Sequence, residues 1–142
     1  MKQAFLMSDI ISRTGAQIMI FASNAPTLEV LTALEGEGQV RTALGMYNSV
    51  TEVAYITPIN ALCEVMNSGL LKDQESVLFL SNEQKTGNRL AYLWYPETDT
   101  YEALGEFYQV TKEEAFNARG YTYMADTGLY FTTRLVPTQP AG

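Results

Sequence analysis

The chain has 142 residues, 46% of them hydrophobic, and its 16 acidic and 9 basic residues give a net charge of −7. A chain of this length can bury enough apolar surface to fold as one domain, and its apolar runs are shorter than the roughly 18 residues that a membrane-spanning helix needs. The acidic balance opposes the phosphate backbone of DNA and RNA, so we do not expect a nucleic-acid partner or a membrane segment.

The first predicted elements are a strand and a helix. Residues 17–22 form a continuous apolar segment, which is typical of a buried strand. Asn24 or Thr27 can cap a helix over residues 27–35, because either side chain can accept a hydrogen bond from a free amide of the first turn. The side chains predicted to face the core from this helix are Leu28, Leu31 and Leu34.

A second strand and helix follow. Residues 53–56 are extended in character, Thr57 is the predicted cap, Pro58 suits the first helical position and Gly69 suits the end of the helix. A free thiol on the core side of such a helix packs as a small hydrophobic group, and we expect it to be unreactive. The side chains at helical spacing, predicted to face the core, are Ile59, Leu62, Cys63 and Met66.

The third region predicts a hairpin. Residues 88–95 and 100–110 are rich in strand-forming side chains, and residues 96–99, with the sequence PETD, are suited to a turn. Simple alternation along the second of these strands places Glu102 and Glu106 on its solvent side.

A short helix and a second hairpin complete the chain. Thr111 and Glu114 have the spacing of a capping box, in which each side chain bonds to the other residue's backbone amide. The sequence Asp126-Thr127-Gly128 predicts a tight loop, because glycine readily adopts the left-handed conformation that such loops require.

These elements, with further extended segments at residues 45–50 and 77–84, predict an α+β fold. We expect a mostly antiparallel sheet of about six strands, with two or three short helices packed on one face. No linker or low-complexity segment divides the chain, which predicts a single α+β domain over residues 1–136 and a flexible tail over residues 137–142.

Two amino-acid counts limit the chemistry. The chain has no histidine, which excludes zinc sites of the usual His/Cys kinds and Ser-His-Asp or Cys-His nucleophiles within it. Its one cysteine cannot form an internal disulfide and fits a reducing compartment, so we predict a cytoplasmic protein. No phosphate-binding loop or dinucleotide fingerprint is present, and we predict no cofactor and no metal.

Aromatic residues are concentrated in the second half, where eleven of the sixteen lie between Tyr92 and Phe131. Both alternation faces of residues 88–95 are apolar or aromatic, whereas a half-exposed strand shows polar residues on one face. The strand is therefore buried within the monomer, covered by another chain, or exposed for recognition. The predicted binding residues are Tyr92, Trp94, Tyr95, Glu97, Asp99, Tyr101 and Glu102.

We expect a small, acidic, non-catalytic binding protein that forms a homo-oligomer. Its aromatic surface binds a protein partner, and its carboxylates attract basic groups of that partner. An inhibitor or accessory protein of the kind that phages and mobile elements direct against host systems fits this profile.

Two alternatives remain open from the sequence. The first is an oligomeric module that binds a nucleotide-like small molecule, since arginine can grip a phosphate while an aromatic ring stacks on a base. The second is a small enzyme that uses Asp, Glu or Tyr as acid or base, which would need a carboxylate in a dry pocket. The residues predicted for the small-molecule alternative are Arg89, Arg119, Tyr121, Tyr123 and Arg134.

Overall fold

The computed structural model describes residues 10–36, 39–47, 49–72, 74–85 and 87–134. Eight strands pair in the order β1-β3-β2-β7-β8-β6-β5-β4, with β4 pairing back to β1, and every pairing is antiparallel. The fold is thus a closed barrel. The prediction of an α+β domain with an open sheet of about six strands is wrong, and the predicted tail at residues 137–142 lies outside the described residues.

The strands are short to medium in length, and each is followed in the chain by a turn, a loop or a helix. Their bounds are Ala16–Ala22 (β1), Arg41–Tyr47 (β2), Val50–Pro58 (β3), Val77–Glu83 (β4), Arg89–Tyr95 (β5), Thr100–Val110 (β6), Gly120–Met124 (β7) and Leu129–Arg134 (β8).

The named helices lie outside the barrel. They are Thr27–Ala33 (α1), Leu62–Asn67 (α2) and Lys112–Asn117 (α3), with a 3-10 turn at Ile59–Ala61 before α2. Residues 10–14 are also helical. No helix among the described residues is long and apolar enough to cross a membrane.

Two hydrophobic cores hold the fold together. The barrel core fills the interior, as is usual for eight strands, and includes Ile20, Ala43, Ala54, Ile56, Leu80, Ala91, Phe107 and Met124. The outer core lies between the barrel wall and the helices, and includes Ile10, Met19, Phe21, Val30, Leu34, Tyr55, Leu62, Val65, Phe79 and Trp94.

A strand with two apolar faces can therefore bury both faces within one chain, one in the barrel core and the other in the outer core. On β1, Ile20 belongs to the barrel core, and its neighbours Met19 and Phe21 belong to the outer core. On β5, Ala91 belongs to the barrel core and Trp94 to the outer core. The apolar pattern of residues 88–95 is thus explained without a second chain.

Both predicted apolar helix faces need correction. In α1 the buried side chain is Val30, and the predicted Leu34 is buried at the C-cap, while Leu28 is 76% exposed and Leu31 is 38% exposed. The helix contacts the outer core along its Val30–Leu34 side, since residues four apart share a face. In α2, Leu62 and Val65 are buried, but Cys63 is exposed, so the prediction that this thiol packs in the core is wrong.

The start of the second helix also differs from the prediction. Strand β3 continues through Pro58, and the α-helix begins only at Leu62, after the 3-10 turn. Thr57 pairs with Met19 of β1, and its buried hydroxyl makes no hydrogen bond with the described residues. Thr57 therefore acts as a strand residue and not as a cap.

Local signals at other turns are confirmed. Thr111 and Glu114 form the predicted capping box, and Gly69 has a φ of 71° at the end of α2, where a left-handed residue is favoured. Gly128, with a φ of 75°, lies in the loop between β7 and β8. Residues 45–50, predicted as one extended segment, instead contain the turn that joins β2 to β3.

Strand β6 does not alternate simply. Its register with β5 shifts between Ala91 and Tyr92, and Gly105 of β6, which pairs with Ala91, has a φ of 96°. This β-bulge changes the face on which the following side chains lie. Glu102 is consequently exposed, whereas Glu106 is 8% exposed and is not on the solvent side as predicted.

Candidate functional site

The ends of two hairpins lie together at one end of the barrel, and we call this region the hairpin rim. It comprises Tyr47 and Val50 from hairpin β2–β3, Tyr95, Glu97, Tyr101 and Glu102 from hairpin β5–β6, and Glu75 before β4. Tyr95 lies where they meet, because its phenol bonds to Glu102 and is close to Tyr47 and Glu75.

Tyr95 and Glu102 form a defined contact in the rim. The Tyr95 hydroxyl donates a hydrogen bond of 3.0 Å to Oε1 of Glu102. This bond raises the pKa of Tyr95, with smaller contributions from burial and from the neighbouring negative charges. The phenol therefore stays protonated and remains a hydrogen-bond donor at neutral pH.

Tyr47 is held in the rim by its packing against β7. It pairs directly with Gly120, and a Cβ atom at Gly120 would lie 3.0 Å from Cδ2 of Tyr47 and 3.1 Å from the Met46 carbonyl oxygen. The absence of a side chain at Gly120 thus lets the Tyr47 ring lie close to the backbone of β7.

The rim exposes apolar groups and carboxylates side by side. Tyr47 and Val50 are each 57% exposed, and Tyr101 is 39% exposed. Glu97 and Glu102 are exposed as well, and neither forms an ion pair with a basic side chain in the described ranges. Apolar contact area next to unneutralised acidic charge is suited to a partner that has both apolar and basic groups.

Trp94 occupies a different environment from the rest of the predicted binding set. It is 2% exposed, its ring stacks on Phe79 with centroids 5.4 Å apart, and its indole N–H donates a 2.9 Å hydrogen bond to Asp99 Oδ1. The indole is therefore not accessible to a partner. Asp99, with a φ of 53°, positions the turn, and Tyr92 makes an edge contact with Tyr101 at 5.8 Å.

The residues predicted for a nucleotide-like ligand lie in different elements, with Arg89 in β5, Arg119 just before β7 and Arg134 in β8. Arg89 donates a 2.7 Å hydrogen bond to the Ser81 carbonyl oxygen, and Arg134 forms a 3.0 Å ion pair with Glu106 and lies over the Tyr108 ring. Tyr121 and Tyr123 are in strand β7, where both contact the ring of Tyr130.

A shallow cleft of about 230 Å³ lies between the end of β1 and the end of α2. Its main polar groups bind each other, because the Ser23 hydroxyl donates to the Leu70 carbonyl oxygen at 2.8 Å and accepts from the Ala25 amide. The cleft therefore offers few free polar groups to a ligand. Its lining residues are Ser23, Asn24, Ala25, Gly69, Leu70 and Lys72.

Sequence reasoning missed several rim residues. Tyr47, Val50 and Glu75 lie far from the aromatic stretch in sequence and reach it only through barrel closure. One signal was available: Tyr47 and Val50 flank a short polar break between two extended segments, which is typical of a hairpin end.

Comparison with known proteins gives no family assignment. No family model matches the sequence, and a search of curated proteins finds no match.

Proposed function

We propose that the protein is a non-catalytic binding protein whose hairpin rim occupies an apolar and basic surface of a protein partner. The observation that carries this proposal is the joint exposure of Tyr47, Val50 and Tyr101 beside Glu97 and Glu102. Exposed aromatic side chains contribute much of the energy of protein interfaces, and unpaired carboxylates at their edge accelerate association with a basic surface.

The proposal includes a cytoplasmic location, which the single reduced cysteine supports. An inhibitor or accessory role, such as phages and mobile elements use against host systems, is compatible with binding through one end of a rigid barrel. The Tyr95–Glu102 hydrogen bond supports a preformed surface, which lowers the entropy lost when a partner binds.

The test is affinity capture from a native cell lysate with three forms of the chain. The first is the natural chain. The second carries Glu97→Gln, Tyr101→Ser and Glu102→Gln, which remove rim charge and one ring, while the new amide oxygen at position 102 can still accept the Tyr95 bond. The control carries Glu29→Gln and Leu28→Ser on α1, on the helical side of the barrel.

We expect the natural chain and the control to capture the same basic protein, and the rim variant to lose about tenfold or more in affinity for it. High salt should weaken this capture, since rim charges act through solvent. Capture of the same proteins by all three forms, or capture of no protein, would contradict the proposal.

A further inference from the structure

A second apolar surface lies on the side of the barrel that α1 and α2 do not cover. We call it the aromatic flank, and it comprises Leu44, Val53, Phe116, Tyr121, Tyr123 and Tyr130. Its centre is a row of side chains across four strands, because Leu44 pairs with Val53 on one side and Tyr123 on the other, and Tyr123 pairs with Tyr130.

The rings of the flank form one cluster. Tyr130 lies 4.7 Å from Tyr123, 5.7 Å from Tyr121 and 5.8 Å from Phe116, measured between ring centroids. These tilted and edge contacts fix the rings in place, so the flank is an ordered surface.

The flank is apolar and yet exposed. Leu44 is 39% exposed, Val53 is 42% exposed and Phe116 is 55% exposed. On the other side of the barrel, side chains of the same kind are covered by helices, as shown by Met19 and Phe21, which are 0% and 1% exposed. A contiguous apolar face of this kind on a small protein is typical of an interaction surface.

The charge distribution identifies the occupant. The elements of the flank, residues 41–58 and 111–134, contain four basic residues, Arg41, Lys112, Arg119 and Arg134, and four acidic residues, Glu52, Glu113, Glu114 and Asp126. The net charge of −7 therefore lies entirely in the rest of the chain. Two copies can bring this neutral region together with little repulsion, whereas the rest of the chain carries the whole net charge of −7.

We infer that the aromatic flank is the interface of a homodimer with two-fold symmetry. In such an interface each copy presents the same patch, so the apolar row of one copy packs against the apolar row of the other. A patch four strands wide, with α3 beside it, suits an interface at the small end of the range, on the order of 600 Å² per copy, where weak and transient complexes are found.

Leu44 provides the test, because the inference places it at the two-fold axis, beside Tyr123 in the middle of the row, and because its exposure allows substitution without disturbing a core. Sedimentation equilibrium over a range of about 1 to 300 µM should show the natural chain rising from 15.8 kDa toward twice that mass. Leu44→Glu and Leu44→Lys should each remain at 15.8 kDa, because the same charge meets itself across the two-fold axis.

An equimolar mixture of the Leu44→Glu and Leu44→Lys chains should dimerise again, since opposite charges then meet. The matched control is Leu28→Glu, the same change at a more exposed leucine of α1, which should dimerise like the natural chain. Circular dichroism checks that every variant is folded.

A natural chain that stays at 15.8 kDa throughout, or a Leu44→Glu chain that dimerises as the natural chain does, would overturn the inference. Failure of the mixture to dimerise would overturn the placement of Leu44 at the two-fold axis, because only residues at the axis meet their own copies. The rim variant should still dimerise, so this inference and the proposed function can fail separately.

Discussion

At the scale of one residue, Thr57 places a polar hydroxyl group in a buried position where it has no hydrogen-bond partner among the described residues. It is 2% exposed, and its hydroxyl makes no hydrogen bond with the described residues. Thr14 is equally buried, at 4%, but its hydroxyl donates a 2.9 Å bond to the Ile10 carbonyl oxygen. The two threonines therefore contribute to stability with opposite signs.

We predict that Thr57→Val raises the free energy of unfolding by about 1 kcal/mol, because it removes a buried hydroxyl without a partner at almost constant volume. Thr14→Val, the matched control, should lower that free energy by about 1 kcal/mol, because it removes a hydrogen bond. Urea denaturation at neutral pH measures both. A loss of stability in the Thr57→Val chain would mean that its hydroxyl is bonded in solution.

At the scale of strands and turns, the ion pair between Arg41 and Asp126 connects two elements that are far apart in the chain. The guanidinium donates to both carboxylate oxygens, at 2.7 and 2.9 Å, and ties the start of β2 to the loop between β7 and β8. The hydrogen bond from Arg41 lowers the pKa of Asp126, and the same bond raises the pKa of Arg41.

A lowered folded-state pKa means that Asp126 stabilises the fold above its unfolded pKa of about 3.9, and that this contribution is lost as the pH falls through the folded-state value. We predict that Asp126→Asn lowers stability at neutral pH, and that the difference from the natural chain disappears in acid. Urea denaturation as a function of pH measures the difference.

The partner variant provides the control for this pair. In an Arg41→Gln background, Asp126→Asn should have little further effect, because the two changes remove the same interaction. A pH-independent difference between the natural chain and the Asp126→Asn chain would show that the ion pair does not contribute.

At the scale of the whole molecule, the two cores share strands and are expected to unfold together. β1, β3, β4 and β5 each contribute side chains to both cores. Trp94 is the only tryptophan and lies in the outer core, so its fluorescence reports that core, while far-ultraviolet circular dichroism reports the strands.

We predict one transition with the same midpoint by both probes. Ile56→Val in the barrel core and Ile10→Val in the outer core should each lower the free energy of unfolding by about 0.5–1.5 kcal/mol, and each should move both probes equally. If Ile56→Val shifted the dichroism midpoint but not the fluorescence midpoint, the cores would be independent.

The sequence by itself determined the features that depend on a few neighbouring residues. The capping box of Thr111 and Glu114, the left-handed Gly69 and the β5–β6 hairpin follow from contacts between residues close in the chain. Net charge and the absence of histidine are likewise fixed by composition. These signals identified hairpin β5–β6, which contributes Tyr101 and Glu102 to the hairpin rim. They did not identify hairpin β2–β3, which contributes the other part of the rim.

Only the tertiary structure decided barrel closure, the helix faces and which rings are exposed. Closure joins distant segments, as in the contact between Arg41 and Asp126, which are 85 residues apart. No local pattern encodes such a pairing, because its free energy depends on all eight strands meeting at once. For the same reason Trp94 and Tyr101, close in sequence and similar in chemistry, differ in environment: one is packed against Phe79 beneath the helices, and the other faces solvent.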